Sequence, residues 1–139
     1  MILVDTNIFM YAGGAAHPRK DPCVRLLERI ASGRLEAAID AEVLQEILHR
    51  YRAIGRWETG RVVFDMARVV MPTVIPITLD HLLRCRRLLD ENPRLDARDA
   101  LHVGVYEQVR AEALCSYDKD FDAVPSLVRK TAEALIDLE

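Results

Sequence analysis

The sequence predicts an α/β fold: a single domain over residues 1–139, built on a parallel sheet of about five strands with helices on both faces. Three observations predict it. Residues 1–4, MILV, form a short and wholly apolar run, the pattern of a strand buried on both faces. Short apolar runs then alternate with helical patterns of about 10–15 residues, as in strand–helix–strand units of a parallel sheet. Finally, 139 residues, 50% hydrophobic and 29% charged, have the size and composition of one globular domain.

The elements follow in order. Residues 12–21, AGGAAHPRKD, read as a loop. Asp21 reads as a helix cap with Pro22 at the first helical position; the stripe Cys23, Leu26, Leu27, Ile30 and Ala31 runs to a stop at Gly33. Residues 35–39 form a second strand. Asp40 caps the next helix, which carries Val43, Leu44, Ile47, Leu48 and Tyr51 and stops near Gly55. Val62, Val63, Met66, Ala67 and Val70 mark a helix ending at Pro72, and residues 74–78 a third strand. Leu79, Leu82, Leu83 and Leu89 mark a helix that stops before Pro93. Asp96 caps a helix reaching about Arg110, and residues 113–117 form the fourth strand. The signal then weakens: residues 127–130 read as a short last strand, and Thr131 opens a final helix.

Composition narrows the function. The net charge of −3, from 22 acidic and 19 basic residues, excludes a uniformly basic nucleic-acid binder but not a local patch. All but Lys20, Lys119 and Lys130 of those basic residues are arginine, which favours planar contact with carboxylate or phosphate. No apolar run approaches the roughly 18 residues of a membrane span. The opening MILVDTN has neither a basic segment nor a signal-type apolar stretch. Cys23, Cys85 and Cys115 form no C-x-x-C, so a reducing, cytoplasmic setting is expected.

In a parallel sheet all strands end, and all following helices begin, along one edge, where ligands bind. Four acids fall there. Asp5 follows the first strand and Asp118 the fourth; Asp99 lies in the first turn of the helix capped by Asp96, and Glu46 in the second turn of the helix capped by Asp40. Like charges brought together raise one another's pKa and strain the fold. A hard divalent cation relieves this, and carboxylate oxygens suit Mg²⁺ or Mn²⁺ better than Zn²⁺. Carboxylates around such ions are the usual apparatus of phosphodiester cleavage.

Each acid also has a local reading. Asp5 suits a turn, Asp99 the third position of a capping box, and Glu46 an ion pair with Arg50 one turn on; Asp118 competes with Asp120 and Asp122 in SYDKDFD. His102, three residues after Asp99, is either a donor to the site or a packed histidine. The loop carrying Arg19 and Lys20 is a candidate contact for a phosphate backbone or an ordinary solvated loop. Gly104 inside a helix points to a close helix–helix or helix–sheet contact. There is no H-E-x-x-H, P-loop, G-x-G-x-x-G or G-x-S-x-G. A phospho-accepting receiver domain would need paired acids after the first strand, an aspartate after the third and a lysine after the last, and the sequence supplies none of these.

VDTN after the apolar start, VLQEIL around Glu46, LDARDALHV around Asp99 and SYDKDFD near the end resemble the four acidic motifs of PIN-domain ribonucleases, most closely the VapC-type toxins of toxin–antitoxin pairs. The likeness spans nearly the whole chain. It implies that Asp5, Glu46, Asp99 and Asp118 coordinate the metal and that Thr6 and Asn7 support Asp5. Ser116 stands where the family usually has threonine, and Asp96 where serine is common. It also implies Mg²⁺ or Mn²⁺ dependence, cleavage of RNA to 5′-phosphate and 3′-hydroxyl ends, homodimers, and inhibition by a small antitoxin. A PIN-like binding module that has lost catalysis is the alternative.

Overall fold

The computed structural model describes residues 1–137. Five strands, β1 (Ile2–Val4), β2 (Ala37–Asp40), β3 (Val74–Ile75), β4 (Ala113–Cys115) and β5 (Arg129–Lys130), form one sheet in the order β3-β2-β1-β4-β5. Every pairing is parallel. The helices are α1 (Thr6–Ala12), α2 (Lys20–Ala31), α3 (Ala41–Ala53), α4 (Trp57–Val70), α5 (Leu79–Glu91), α6 (Ala97–Val109) and α7 (Ala132–Ile136), with a 3₁₀ turn at Lys119–Ala123.

Strand alternation divides the core in two. Ile2, Val4, Ala37 and Ile39 face a cluster built with α1, α2, α3, α4 and α7. Leu3, Ala38 and Leu114 face the opposite cluster, built with α5, α6 and the 3₁₀ turn. The predicted architecture, a parallel sheet between two helical layers, is the one observed. From β1 the chain moves outward through β2 to β3, then crosses back to β4 on the other side of β1. Strand order therefore reverses between β1 and β4, the position where open α/β sheets leave a crevice at their carboxyl ends.

Several elements depart from expectation. Helix α1 had no counterpart in the sequence reading; Asp5 initiates it, its carboxylate accepting from the Thr6 amide at 2.8 Å. Helix α2 starts at Lys20, so Asp21 is not its cap; Pro22 sits in the first turn, where a missing N–H leaves no helical bond unmade. Ala31 is exposed rather than part of the buried stripe. In α5 the leucines at 79, 82 and 83 face outward, with Leu79 69% exposed, while His81, Cys85 and Leu88 are buried. The cause is a polar interface with α6. Arg84 grips the Glu107 carboxylate at 2.6 and 3.0 Å, and His81 bonds to Gln108. Gly104 is where α6 closes on α5: a Cβ there would lie 3.3 Å from the His81 carbonyl oxygen.

The tighter approach is between α3 and α4. A Cβ on Gly60 would fall 2.5 Å from the Tyr51 Cβ, so one helix would have to move. Gly60→Ala is expected to destabilise by about 1–3 kcal/mol despite alanine's better helix propensity. Gly104→Ala meets a milder contact and should shift the melting temperature less. Thermal melts of both variants check the ranking, and an unchanged Gly60→Ala melt would refute the close packing.

Candidate active site

The acids gather at the crevice between β1 and β4. Asp5, one residue past β1, is 6% exposed and held from three directions. Its Oδ1 accepts from the Thr6 amide, while its Oδ2 accepts from the Ser116 hydroxyl at 2.6 Å and the Asn7 amide at 3.2 Å. The Ser116 bond ties the end of β1 to the end of β4. Asn7 also donates to Ser116 Oγ, which in turn accepts from the Asp118 amide at 3.0 Å. Thr6 reaches the other way and donates its hydroxyl to Glu46 Oε1 on α3 at 2.8 Å. Thr6, Asn7 and Ser116 thus fix the relative positions of Asp5, Glu46 and the chain entering Asp118.

The expected quartet falls into two adjacent groups. Asp5, Glu46 and His102 each place one ligand-type atom within 4.8 Å of the others, and Asp99, Asp118 and Asp120 do the same. The groups feel one another electrostatically. Burial pushes the Asp99 carboxyl up to about 7, helped by the negative charges of Asp96, Asp118 and Asp5. Burial also raises the Asp5 carboxyl above the ordinary range, against the pull of His102 and the Ser116 hydrogen bond. The local readings hold in part: Asp96 caps α6 through the Asp99 amide at 2.8 Å but the Asp99 carboxylate does not complete a capping box, and Asp118 Oδ1 accepts from the Asp120 amide at 2.9 Å. Asp122 is drawn away to Arg129.

Sequence reasoning missed two contributors and foresaw a third only in part. Arg50 and Arg98 approach Glu46 Oε2 at 3.5 and 3.7 Å from α3 and α6. Arg50 was foreseen only as an ion-pair partner and Arg98 not at all, although its place in the first turn of α6 beside Asp99 was a signal. Arg129 donates to the Ser116 carbonyl at 3.1 Å and so braces the end of β4. Asp40 does more than cap α3. Its Oδ1 accepts from the Val43 amide, and its Oδ2 meets His102 Nδ1 at 2.6 Å. Burial opposes charge on His102, but Asp40, Asp5 and Glu46 outweigh it and push the imidazole up to about 10. The predicted loop contacts sit at the margin. Arg19 donates to the Tyr11 hydroxyl and stacks 4.4 Å above the Tyr117 ring, and Lys20 donates to the Gly14 carbonyl.

The donor set fits a hard divalent cation. Carboxylates are held in two sets of cation size, and burial opposes the ionisation of Asp5 and Asp99 when nothing else neutralises them.

Comparison with known proteins agrees in sequence and in fold. The family model described as PIN domain matches residues 2–127. Ribonuclease VapC13 of Mycobacterium tuberculosis is 45% identical over 129 residues, covering 93% of this chain and 98% of its own. Ribonuclease VapC7 of the same species is 34% identical over 139 residues, covering 96% of this chain and 93% of its own. Among solved structures, Mycobacterium tuberculosis VapC20, a sarcin–ricin loop cleaving toxin, superposes with a TM-score of 0.74 at 17% identity, over 92% of this chain and 97% of its own. VapBC2 from Rickettsia felis, bound to a DNA fragment from its promoter, also reaches 0.74 at 20% identity, over 94% and 98%. These two neighbours share the fold. With the family model spanning most of the chain and curated relatives this similar along their full length, the chain belongs to the PIN-domain family, in its VapC branch.

Proposed function

We propose that the chain is an endoribonuclease dependent on Mg²⁺ or Mn²⁺ and acts as the toxin of a toxin–antitoxin pair. The observation that carries this reading is the crowding of Asp5, Glu46, Asp99 and Asp118, from four separate segments, at one crevice where burial already resists the ionisation of Asp5 and Asp99. A protein holds carboxylates this way at a cost in stability, and a bound cation turns that cost into affinity. Asp5 and Glu46 in one group, and Asp99 and Asp118 in the other, would hold divalent cations. When bound, such a cation lowers the pKa of water and neutralises phosphate charge.

The chain's own residues set the frame. Thr6, Asn7 and Ser116 fix the Asp5 and Glu46 carboxylates, so no rotamer search is needed when the site loads. Arg50 and Arg98 at the rim, with Arg19 and Lys20 beyond, offset the repulsion between the acids and incoming phosphates. Single-stranded or looped RNA suits the crevice because its splayed bases expose the backbone, and the likeness to PIN-domain ribonucleases implies 5′-phosphate and 3′-hydroxyl ends. The names of the relatives and the toxin–antitoxin complexes among the structural neighbours support the biological role. A shallow apolar groove lined by Ala12, Val24, Leu27, Met66 and Val70 is a surface an antitoxin segment could cover, and the outward leucines of α5 support a homodimer. No helix among the described residues is long and apolar enough to cross a membrane, and the buried free cysteines suit a reducing cytoplasm.

Two measurements test this. Purified protein is incubated with mixed RNA and Mn²⁺. Asp5→Asn and Asp118→Asn should slow cleavage by at least about 100-fold, Ser116→Ala by about 10–100-fold, and EDTA should abolish it. Equal cutting by wild type and Asp5→Asn would refute the nuclease reading, and intact RNA throughout would favour a binding module. The second measurement is stability against pH. The raised Asp99 and Asp5 carboxyls favour the folded state most below their unfolded values near pH 4, and that contribution is lost as pH rises through about 7 for Asp99. His102 acts in the same direction from about pH 6.5 to 10. In EDTA the melting temperature should therefore fall between pH 5.5 and 8. Mn²⁺ should restore more of it at pH 8, and Asp99→Asn should flatten the slope. A melting temperature that climbs with pH in EDTA would contradict the electrostatics.

A further inference from the structure

We propose that Asp5, Glu46 and His102 form a mixed oxygen–nitrogen cation site in which His102 Nε2 is a direct ligand, distinct from the all-oxygen group of Asp99, Asp118 and Asp120. Three observations converge on it. His102 Nε2 is the one buried side-chain nitrogen or oxygen without a hydrogen-bond partner among the described residues. A histidine only 2% exposed does not leave a ring nitrogen unpaired without cause. That nitrogen is aimed at the acids: it lies 3.9 Å from Asp5 Oδ1, and Asp5, Glu46 and His102 bring their ligand atoms within 4.8 Å of one another.

The third observation is on the far side of the ring. Nδ1 meets the Asp40 carboxylate at 2.6 Å. A ligating histidine characteristically gives its other N–H to a carboxylate, which fixes the tautomer and raises the basicity of the ligating nitrogen. Asp40 is itself anchored, because its other oxygen caps α3 through the Val43 amide at 3.1 Å. The line from Asp40 through His102 to the site is thus oriented from the end of β2. A purely structural histidine would be satisfied at both nitrogens; this one is satisfied only at Nδ1, by Asp40, and not at Nε2, which faces Asp5. In the cation-free chain a proton on Nε2 faces Asp5, and a bound cation takes its place.

An imidazole ligand changes which metal is held. Mg²⁺ takes oxygen donors, whereas a nitrogen donor favours Mn²⁺ and the later first-row divalent ions over it. The inference deepens the nuclease reading and rests on it for Asp5 and Glu46 being metal ligands. It goes further in placing a nitrogen in the coordination sphere and a preference for transition metals over Mg²⁺.

The test uses the full chain loaded with Mn²⁺ and pulsed electron paramagnetic resonance, which detects nitrogen bonded to the ion. Wild type should show ¹⁴N coupling. The coupling should be lost in His102→Gln and His102→Asn, and should persist in a His17→Asn/His49→Asn double variant that removes the two exposed histidines. Asp40→Asn keeps a helix cap but not the carboxylate. It should retain the coupling while weakening Mn²⁺ binding by about 10–100-fold in titration calorimetry. The preference for Mn²⁺ over Mg²⁺ should fall by about 10-fold or more in His102→Gln. If wild type binds Mn²⁺ and cuts RNA without nitrogen coupling, His102 is no ligand and the nuclease reading stands alone. If no Mn²⁺ binds and no RNA is cut, both fail. Should both His102 variants fail to fold, the double variant decides, since loss of coupling there would overturn the assignment.

Discussion

The structure depends on one electrostatic constraint: several carboxylates must share the carboxyl edge of a parallel sheet with little water to screen them. The fold answers with whatever donors that edge offers. Backbone amides at helix starts serve Asp5, Asp40, Asp96 and Asp118, and side-chain hydroxyls serve Asp5 and Glu46. One imidazole lies among Asp40, Asp5 and Glu46. These donors leave Asp5 and Asp99 still reluctant to ionise. The residual imbalance is local, since the chain as a whole carries only −3. A small excess of negative charge, concentrated in a crevice, does what a large excess spread over the surface could not.

Topology explains why the crevice lies where it does. β1 is central, with β2 on one side and β4 on the other, and α1 leaves on the opposite face of the sheet from α6. Neither helix can cover the gap between the ends of β1 and β4. The gap is bridged instead by side chains: Ser116 to Asp5 and Asn7 to Ser116. The His102–Asp40 contact performs a second bridging, between α6 and the end of β2 on the other side of the strand. The polar residues that build the site also lock the sheet edge to both helical layers, so the site and the fold share their supports.

Much of this was legible in the sequence because the responsible patterns are local. Alternating apolar runs gave the layered parallel sheet, and acids next to strand ends gave the site. What stayed hidden was what depends on pairing between distant elements. Helix α1 escaped notice because Asp5 was weighed as a turn residue or a ligand, not as the cap that starts a helix. The face of α5 was misread because Leu79, Leu82 and Leu83 outweigh a histidine and a cysteine in any hydrophobic count, although Leu89 does pack against the core. The actual interface with α6 is made of Arg84–Glu107 and His81–Gln108. The division of the acids into two groups, and the entry of His102 into one of them, could not be read from spacing: Asp99 and His102 share a helix yet serve different clusters.

The local and functional readings of each acid prove not to compete. Asp5 caps α1 with Oδ1, and Asp118 caps the 3₁₀ turn with Oδ1. A cap uses one of a carboxylate's roughly four acceptor positions, so Asp118 keeps most of them, and Asp5 keeps one on Oδ1 after also accepting from Ser116 and Asn7. Capping also orients the group: a carboxylate bonded to an amide of its own helix start is held from swinging into solvent. Glu46 shows the same economy with cations. Arg50 and Arg98 stand 3.5 and 3.7 Å from its Oε2, beyond the 2.7–2.9 Å typical of a strong charge-assisted bond, with side chains 52% and 42% exposed. Pairs held so loosely contribute little to stability, so they yield cheaply when a stronger charge arrives on either side. On the nuclease reading that charge is a cation at Glu46 and a phosphate at the arginines, and the same exchange readies both partners of the reaction.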